Sequence, residues 1–176
     1  MAFIIRSAES KDFETIQTFL KAEFIDAGYT NADIDALQGT KYDPAQSARK
    51  IITALNDEES QTRCWLAISE NHAVGMITTK DMSGGIFVDK NNRGKGIGSA
   101  LVRVRNDFYQ KLGKAFAEAQ IESTNTASIS MHQKLGYKFN EHSQQIIDSA
   151  MAKGIALPEI TNENGLPVVL TMIKPL

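Results

Sequence analysis

The sequence has a single cysteine, no long apolar stretch and no excess of basic residues, and each shortage excludes a class of protein. Cys64 is the only cysteine among 176 residues, so neither an internal disulfide nor a thiolate metal cluster can form. We therefore expect a reducing, cytoplasmic environment. No apolar run approaches the roughly 20 residues needed to cross a bilayer. The first residues, up to Arg6, lack the pattern of a signal peptide, and we expect no membrane association.

Charge is nearly balanced along the chain. The formal net charge is -2 at pH 7, and acidic and basic side chains are interspersed. A general nucleic-acid-binding protein carries clustered Lys and Arg over a broad face, so we expect no such activity. The one local basic group is Lys90, Arg93 and Lys95. A cluster of that size suits a small phosphorylated ligand better than a polymer.

Apolar spacing and turn residues predict alternating strands and helices. Ser10 is the expected N-cap of the first helix, and Glu70 to His72 is expected to form a tight hairpin connection. No repeat or linker divides the chain, so we expect one α/β domain over residues 1–176, with a mixed sheet flanked by helices. Strands are predicted at residues 3–7, 64–68, 74–78, 86–88, 115–121, 137–142 and 167–173, and helices at residues 10–27, 44–55, 97–112, 127–135 and 143–153.

A glycine-rich segment follows the strand at residues 86–88 and opens the clearest helix. Gly94, Gly96 and Gly98 let an anion approach the backbone N–H groups at the helix N-terminus, where the helix dipole also favours negative charge. The spacing G-x-G-x-G differs from the G-x-G-x-x-G of dinucleotide folds. A P-loop needs Ser or Thr after Gly-Lys, but Gly96 follows Lys95. The segment therefore indicates a phosphate-binding loop of another kind, the alternative being a merely flexible connection.

Three segments resemble the GCN5-related N-acetyltransferase (GNAT) family. Arg93-x-x-Gly96-x-Gly98 resembles its pyrophosphate motif, and the strand before it resembles its central strand. Residues 125–137 resemble its downstream signature. The match covers about residues 72–139.

The resemblance implies an acyl-CoA N-acyltransferase fold with a mostly antiparallel sheet of about seven strands. It also implies acetyl-CoA as acyl donor. The pantetheine arm would pair with the strand backbone, the glycine loop would hold the pyrophosphate, and Asn125 would contact the cofactor near its thiol, in addition to capping a helix. The residues expected to bind the cofactor are Ile86, Phe87, Val88, Arg93, Gly94, Lys95, Gly96, Ile97, Gly98, Ser99, Asn125 and His132.

Acyl transfer to an amine requires a proton acceptor. A lysine-like amine with a pKa near 10.4 is neutral in fewer than about one molecule in a thousand at pH 7. Many family members carry Glu five residues before the motif Asn, but this sequence has Gln120 there, and an amide is no base. Strand periodicity places Glu118 and Glu122 on the same face as Gln120, so either is a candidate base acting through water. The alternative is an ordinary solvated strand face.

A proton donor for the departing thiolate is the second requirement. Family members often carry Tyr seven residues after the motif Asn, where this chain has His132. Imidazole has a pKa near 6.5 and can donate a proton, which makes His132 a candidate acid. The alternative is a polar helix residue near the cofactor. We expect Tyr137 to pack rather than catalyse, and Cys64 to be a buried structural thiol.

These observations favour an enzyme that moves an acetyl group from acetyl-CoA to a primary amine in a ternary complex. The acceptor could be a polyamine, amino acid, aminoglycoside, peptide N-terminus or protein lysine. Because Gln120 and His132 depart from the family pattern, a catalytically weak acyl-CoA-binding sensor or partner module is the alternative; acetylation of aminoacyl-tRNA fits the acidic composition less well. His72 and His142 lack partners at metal-ligand spacing, so we expect no metal. A homodimer is expected, because edge strands in such sheets often pair between subunits.

Overall fold

A computed structural model describes residues 2–57, 59–79 and 85–176. The chain forms two compact units, Met1–Arg105 and Asn106–Leu176. The predicted alternation of strands and helices is confirmed, and the described residues form seven strands in a four-stranded and a three-stranded sheet. No helix in the described part of the chain is long and apolar enough to span a bilayer.

The first unit contains an antiparallel sheet of four strands in the order β1-β2-β3-β4. Glu70 and Asn71 both have positive φ, 50° and 64°, which is the conformation of a two-residue hairpin turn between β2 and β3. The predicted hairpin is thereby confirmed, although His72 already belongs to β3. The strands are β1 (Ile4–Ser7), β2 (Cys64–Ser69), β3 (His72–Thr78) and β4 (Ile86–Val88).

In the part of the chain described before the second strand there are three helices, where two were predicted. The expected Ser10 N-cap is wrong, since Ser10 lies inside a short 3-10 turn, Ser10–Asp12, that is capped by Glu9. The additional helix begins at a Thr30–Asp33 capping box within a segment too short and polar to show a helical repeat. The helices are α1 (Phe13–Asp26), α2 (Asn31–Ala36) and α3 (Pro44–Leu55).

A hydrophobic core forms where α1 and α3 cover one face of the sheet. Apolar residues of both helices pack with β2 and β3, and the cluster includes Ile16, Ile51, Leu66 and Met76. Phe87 of β4 packs against the same cluster, and its ring centroid lies 5.2 Å from that of Phe19 on α1. This face of α1 therefore lies against the strand that leads into the glycine loop.

The helix after the glycine loop, α4 (Ile97–Lys111), packs closely on β3. A Cβ on Gly75 would lie 3.0 Å from the Phe87 carbonyl oxygen, 3.1 Å from Ile97 Cγ2 and 3.2 Å from Leu101 Cδ1. Only glycine leaves room for this approach. Gly75 thus allows the first turn of α4 to pack against the sheet beside β4.

The second unit contains an antiparallel sheet in the order β5-β7-β6. The strand predicted at residues 137–142 is shorter than expected because Asn140 caps the next helix, accepting a hydrogen bond from Ser143 N at 2.8 Å. That helix consequently begins two residues earlier than predicted. The elements are β5 (Phe116–Glu122), α5 (Thr126–Lys134), β6 (Lys138–Phe139), α6 (Glu141–Met151) and β7 (Val169–Pro175).

Candidate functional site

The loop between β4 and α4 is braced by its own polar side chains. Lys95 Nζ donates to the Asn91 carbonyl at 2.7 Å and to Asn92 Oδ1 at 3.0 Å. Asn92 Nδ2 in turn donates to Asp89 Oδ2 at 2.8 Å. A 3-10 turn over Lys90–Asn92 begins the loop. These hydrogen bonds connect the turn that precedes Gly96 and Gly98.

Two glycines shape the backbone just before α4. Gly94 and Gly96 have φ of +76° and +82°, a region that L side chains rarely adopt, and a Cβ on either would meet nothing within 4 Å. Ala100 N donates to the Gly96 carbonyl at 3.0 Å, which makes Gly96 the residue from which the helix begins. In the described chain, the six backbone N–H groups from Gly94 to Ser99 donate to no carbonyl or side chain. The segment is therefore a concentration of unpaired donors at a helix N-terminus, an arrangement whose chemistry suits an anion.

Two basic side chains beside this loop share one acidic partner. Asp26, the last residue of α1, forms ion pairs with Lys90 Nζ at 2.8 Å and with Arg93 Nη2. Arg93 Nε also donates to the Val88 carbonyl at 2.9 Å. Partial burial opposes ionisation of Asp26, but hydrogen bonds from Lys90 and Arg93 hold the pKa of its carboxyl below the ordinary value. Asp26 lies 67 residues from Arg93, so no local sequence pattern indicates this pairing.

The outer edge of β4 presents further backbone groups. β4 is the last strand of its sheet, and Asp89 N donates inward to the Val74 carbonyl at 3.0 Å. Because N–H groups alternate between the two edges of an antiparallel strand, Ile86 N and Val88 N point to the outer edge. An extended ligand chain can therefore pair with β4 as an added strand would.

In the second unit, β5 has the two faces that its sequence predicts. Ala117, Ala119 and Ile121 are buried. Glu118 is partly buried on the opposite face, whereas Glu122 is exposed. Gln120 Nε2 donates to Glu118 Oε1 at 3.2 Å. The predicted common face of these polar residues is confirmed, while a catalytic role for either carboxylate remains a prediction.

Asn125 and His132 lie at the two ends of α5. Asn125 caps the helix, because its Oδ1 accepts a hydrogen bond from Ser128 N at 3.1 Å. His132 is only 2% exposed, and its Nδ1 lies 2.9 Å from the Ser128 carbonyl oxygen. A carbonyl oxygen only accepts, so Nδ1 carries the proton and Nε2 of the neutral ring is an acceptor. Whether His132 is an acid or a polar helix residue near the cofactor stays a prediction.

Tyr137 is a packing residue, as predicted. It is 2% exposed, and its ring meets the His132 ring edge-on with centroids 4.9 Å apart. Its hydroxyl donates to Asn106 Oδ1 at 2.7 Å, so the buried phenol is satisfied inside the second unit. Tyr137 thus fixes one side of the pocket in which the imidazole lies.

Comparison with known protein families identifies the family to which this chain belongs. The family model described as the acetyltransferase (GNAT) family matches residues 29–137, more than half of the chain. The chain belongs to the GNAT acetyltransferase family. No functionally curated protein matches it.

Solved structures show the same GNAT fold at low sequence identity. The PaiA N-acetyltransferase of Thermoplasma acidophilum, solved with coenzyme A, has a TM-score of 0.68 at 18% identity, with 100% of each chain covered. YncA of Salmonella typhimurium, a putative acetyltransferase solved with acetyl-CoA, has a TM-score of 0.68 at 17% identity, covering 99% of this chain and 94% of that one. A GCN5-related N-acetyltransferase from Kribbella flavida has a TM-score of 0.65 at 21% identity, covering 99% and 98%.

The GNAT motifs fall into two groups in the structure. The first unit holds the β4 backbone, the glycine loop and Arg93, together with the unpredicted Asp26. The second unit holds Glu118, Glu122, Asn125 and His132. No group of three or more His, Cys, Asp or Glu side chains that could hold a metal ion is found among the described residues.

Proposed function

We propose that this GNAT protein is an N-acetyltransferase that transfers the acetyl group of acetyl-CoA to a primary amine by direct attack in a ternary complex. The observation that carries the proposal is the run of six backbone N–H groups, from Gly94 to Ser99, that have no partner among the described residues. Such donors match a pyrophosphate, whose oxygens only accept hydrogen bonds. The coenzyme A and acetyl-CoA complexes of the PaiA and YncA proteins support the same donor here.

The residues present fit the cofactor in both charge and shape. A ligand oxygen can reach the backbone at Gly94 and Gly96 because no Cβ stands in the way and the space beside each is open. Lys90 and Arg93 keep cationic groups at the same loop, although both are paired with Asp26. The outer edge of β4 would hold the pantetheine arm through the backbone of Ile86 and Val88.

In the reaction, the nitrogen of the neutral amine attacks the thioester carbonyl carbon. A C–N bond forms, the C–S bond breaks and the amine loses one proton. Negative charge develops on the carbonyl oxygen in the transition state, and a backbone N–H on the outer edge of β4 is suited to stabilise it. The coenzyme A thiolate leaves and takes up a proton.

His132 is the proposed proton donor to that thiolate. Because Nδ1 donates to the Ser128 carbonyl, the neutral ring has no proton on Nε2. Donation from Nε2 therefore requires the doubly protonated ring, so His132 would act as an imidazolium. A thiol with a pKa near 8.5 is also a tolerable leaving group alone, and we expect His132 to contribute a modest factor.

Glu118 and Glu122 are candidate proton acceptors from the sequence. Both lie on the polar face of β5, and Glu118 already accepts a hydrogen bond from Gln120. Either carboxylate could accept the amine proton through water. The Gln variants of both residues test this role.

The transfer is tested by following thiol release from acetyl-CoA with a panel of amines. The panel contains spermidine, lysine, kanamycin and a short peptide with a free N-terminus and one lysine side chain. We expect thiol release with at least one amine, and a fall of about tenfold for His132→Ala, within the range of acid–base effects. Binding of acetyl-CoA without thiol release for any amine would instead favour an acyl-CoA-binding module.

A further inference from the structure

Helix α1 carries an acidic residue that the family motifs do not include and that contacts the beginning of β4. Glu23 lies one turn before Asp26 and one turn after Phe19, on the helix face that meets β4. A Cβ on Gly85, the residue before β4, would lie 3.1 Å from Glu23 Oε1. The absence of a side chain at Gly85 is therefore what leaves room for the carboxylate.

The environment of Glu23 distinguishes it from the carboxylates of β5. Glu23 is partly buried, whereas Glu122 is exposed and Glu118 accepts a hydrogen bond from a neighbouring amide. Over residues 2–57, 59–79 and 85–176, the Glu23 carboxyl makes no hydrogen bond or ion pair. Burial raises its pKa above the ordinary value of a glutamate. A partly buried carboxylate interacts more strongly with a nearby cation than a solvated carboxylate does, and it is also a stronger base.

Its position also matches the place where the proposed reaction occurs. Ile86 N points to the outer edge of β4, where the pantetheine arm would lie, and Gly85 is the adjacent residue. The glycine loop fixes the pyrophosphate at the other end of this short strand, beyond Val88. The acyl end of an extended arm running back along β4 therefore approaches Ile86 and Gly85. This is the end of the strand over which Glu23 lies, on the sheet face covered by α1.

We propose that Glu23 is the general base of the acyl transfer and removes the proton of the acceptor ammonium, directly or through one water. This inference rests on the proposed N-acetyltransferase function. The Glu23 carboxylate first pairs with the cationic amine and then accepts its N–H proton. The nitrogen lone pair so released forms the C–N bond as the C–S bond breaks, and Glu23 returns the proton to solvent.

The test compares Glu23→Gln with the wild type, using the amine of the panel that is turned over fastest. We expect kcat to fall by about 100-fold or more at pH 7, as for the loss of a general base. Affinity for acetyl-CoA, measured by calorimetry, should stay within twofold. Glu14→Gln is the matched control, because Glu14 is exposed in the first turn of the same helix.

The pH dependence separates a base from a structural role. Raising the pH towards 10 deprotonates the amine in solution, so the deficit of Glu23→Gln should shrink steadily with pH. Glu23→Ala should in addition be partly rescued by formate. A Glu23→Gln rate within twofold of the wild type, or a deficit equal at every pH, would overturn the role of Glu23 alone. Absence of thiol release by the wild type with every amine would overturn the proposed function together with it.

Discussion

The Asp26 carboxylate bridges the two cations of the phosphate loop, Lys90 and Arg93, from the end of α1. Lys90 Nζ lies 2.8 Å from Asp26 Oδ1, and Arg93 Nη2 pairs with Oδ2. The carboxylate is mostly shielded, with a side-chain exposure of 23%. It thus lowers the positive charge beside the six backbone donors and holds both side chains near the loop.

Replacing Asp26 with Asn should tighten acetyl-CoA binding about threefold at low ionic strength, because it removes one negative charge near a polyanionic ligand. The difference should disappear in about 0.5 M salt, where charge interactions are screened. Calorimetry at both salt concentrations measures this, with exposed Asp35→Asn of α2 as the control. Weaker binding by Asp26→Asn at low salt would mean that positioning of Arg93 outweighs the charge.

Local sequence signals predicted most of the fold correctly. The predicted helix over residues 44–55 begins at Pro44, directly after the Asp43 cap, and ends at Leu55. The two faces of β5 were also predicted, because the alternation of side chains along a strand depends on neighbouring residues alone. The prediction of Ser10 as the N-cap was wrong because Glu9 caps this turn, in a capping box with Asp12.

Contacts between distant segments could not be predicted in the same way. In the sequence, Asp26 cannot be distinguished from other surface carboxylates. Its ion pair with Arg93 follows only from the position of α1 beside the phosphate loop. Glu23 likewise acquires a role only because Gly85 lacks a side chain at the point of contact. The burial of His132 likewise depends on contacts such as the one with the Tyr137 ring, about which the local sequence carries no information.

Gly75→Ala should destabilise the protein by about 1–3 kcal/mol, the usual cost of overpacking. The new methyl group would lie 3.0 Å from the Phe87 carbonyl oxygen, and a backbone atom cannot yield as a flexible side chain does. Urea unfolding measures the change. Because α4 and β4 must separate slightly, affinity for acetyl-CoA should fall as well. Unchanged stability would show that the sheet and helix are less closely packed than described.

Asp12→Asn should destabilise the protein by about 1–2 kcal/mol at pH 7, because Asp12 is 6% exposed and accepts two hydrogen bonds of 2.7 Å from Arg6. The hydrogen bond from Arg6 lowers the pKa of Asp12 in the folded protein. The stability that this interaction contributes is therefore complete above the pKa of an aspartate in the unfolded chain, about 3.9. It is lost as the pH falls through the lower pKa of Asp12 in the folded protein. Urea midpoints between pH 7 and pH 2 should converge for the two proteins. A gap that persists at pH 2 would contradict this.

Cys64 should be unreactive in the native protein. It is 1% exposed, and burial raises the pKa of its thiol to about 12, so almost no thiolate exists at pH 8. A chromogenic disulfide reagent should label it slowly at pH 8 and at once after unfolding in urea. The pKa of Cys64 is higher in the folded protein than in the unfolded chain. The stability linked to this thiol is therefore present at neutral pH and is lost above about pH 9, where the unfolded chain ionises first. Rapid native labelling at pH 8 would contradict the burial.

Binding of acetyl-CoA, measured by calorimetry for the wild type, Gly96→Glu and Gly165→Glu, tests the central claim most directly. Gly165 has a φ of +74° and open space beside it, so its variant carries the same backbone strain as Gly96→Glu away from the loop. We predict micromolar binding, about -8 kcal/mol, for the wild type and the Gly165 variant, and none for Gly96→Glu. Absence of binding by the wild type up to millimolar acetyl-CoA, or undiminished binding by Gly96→Glu, would contradict a pyrophosphate site at this loop.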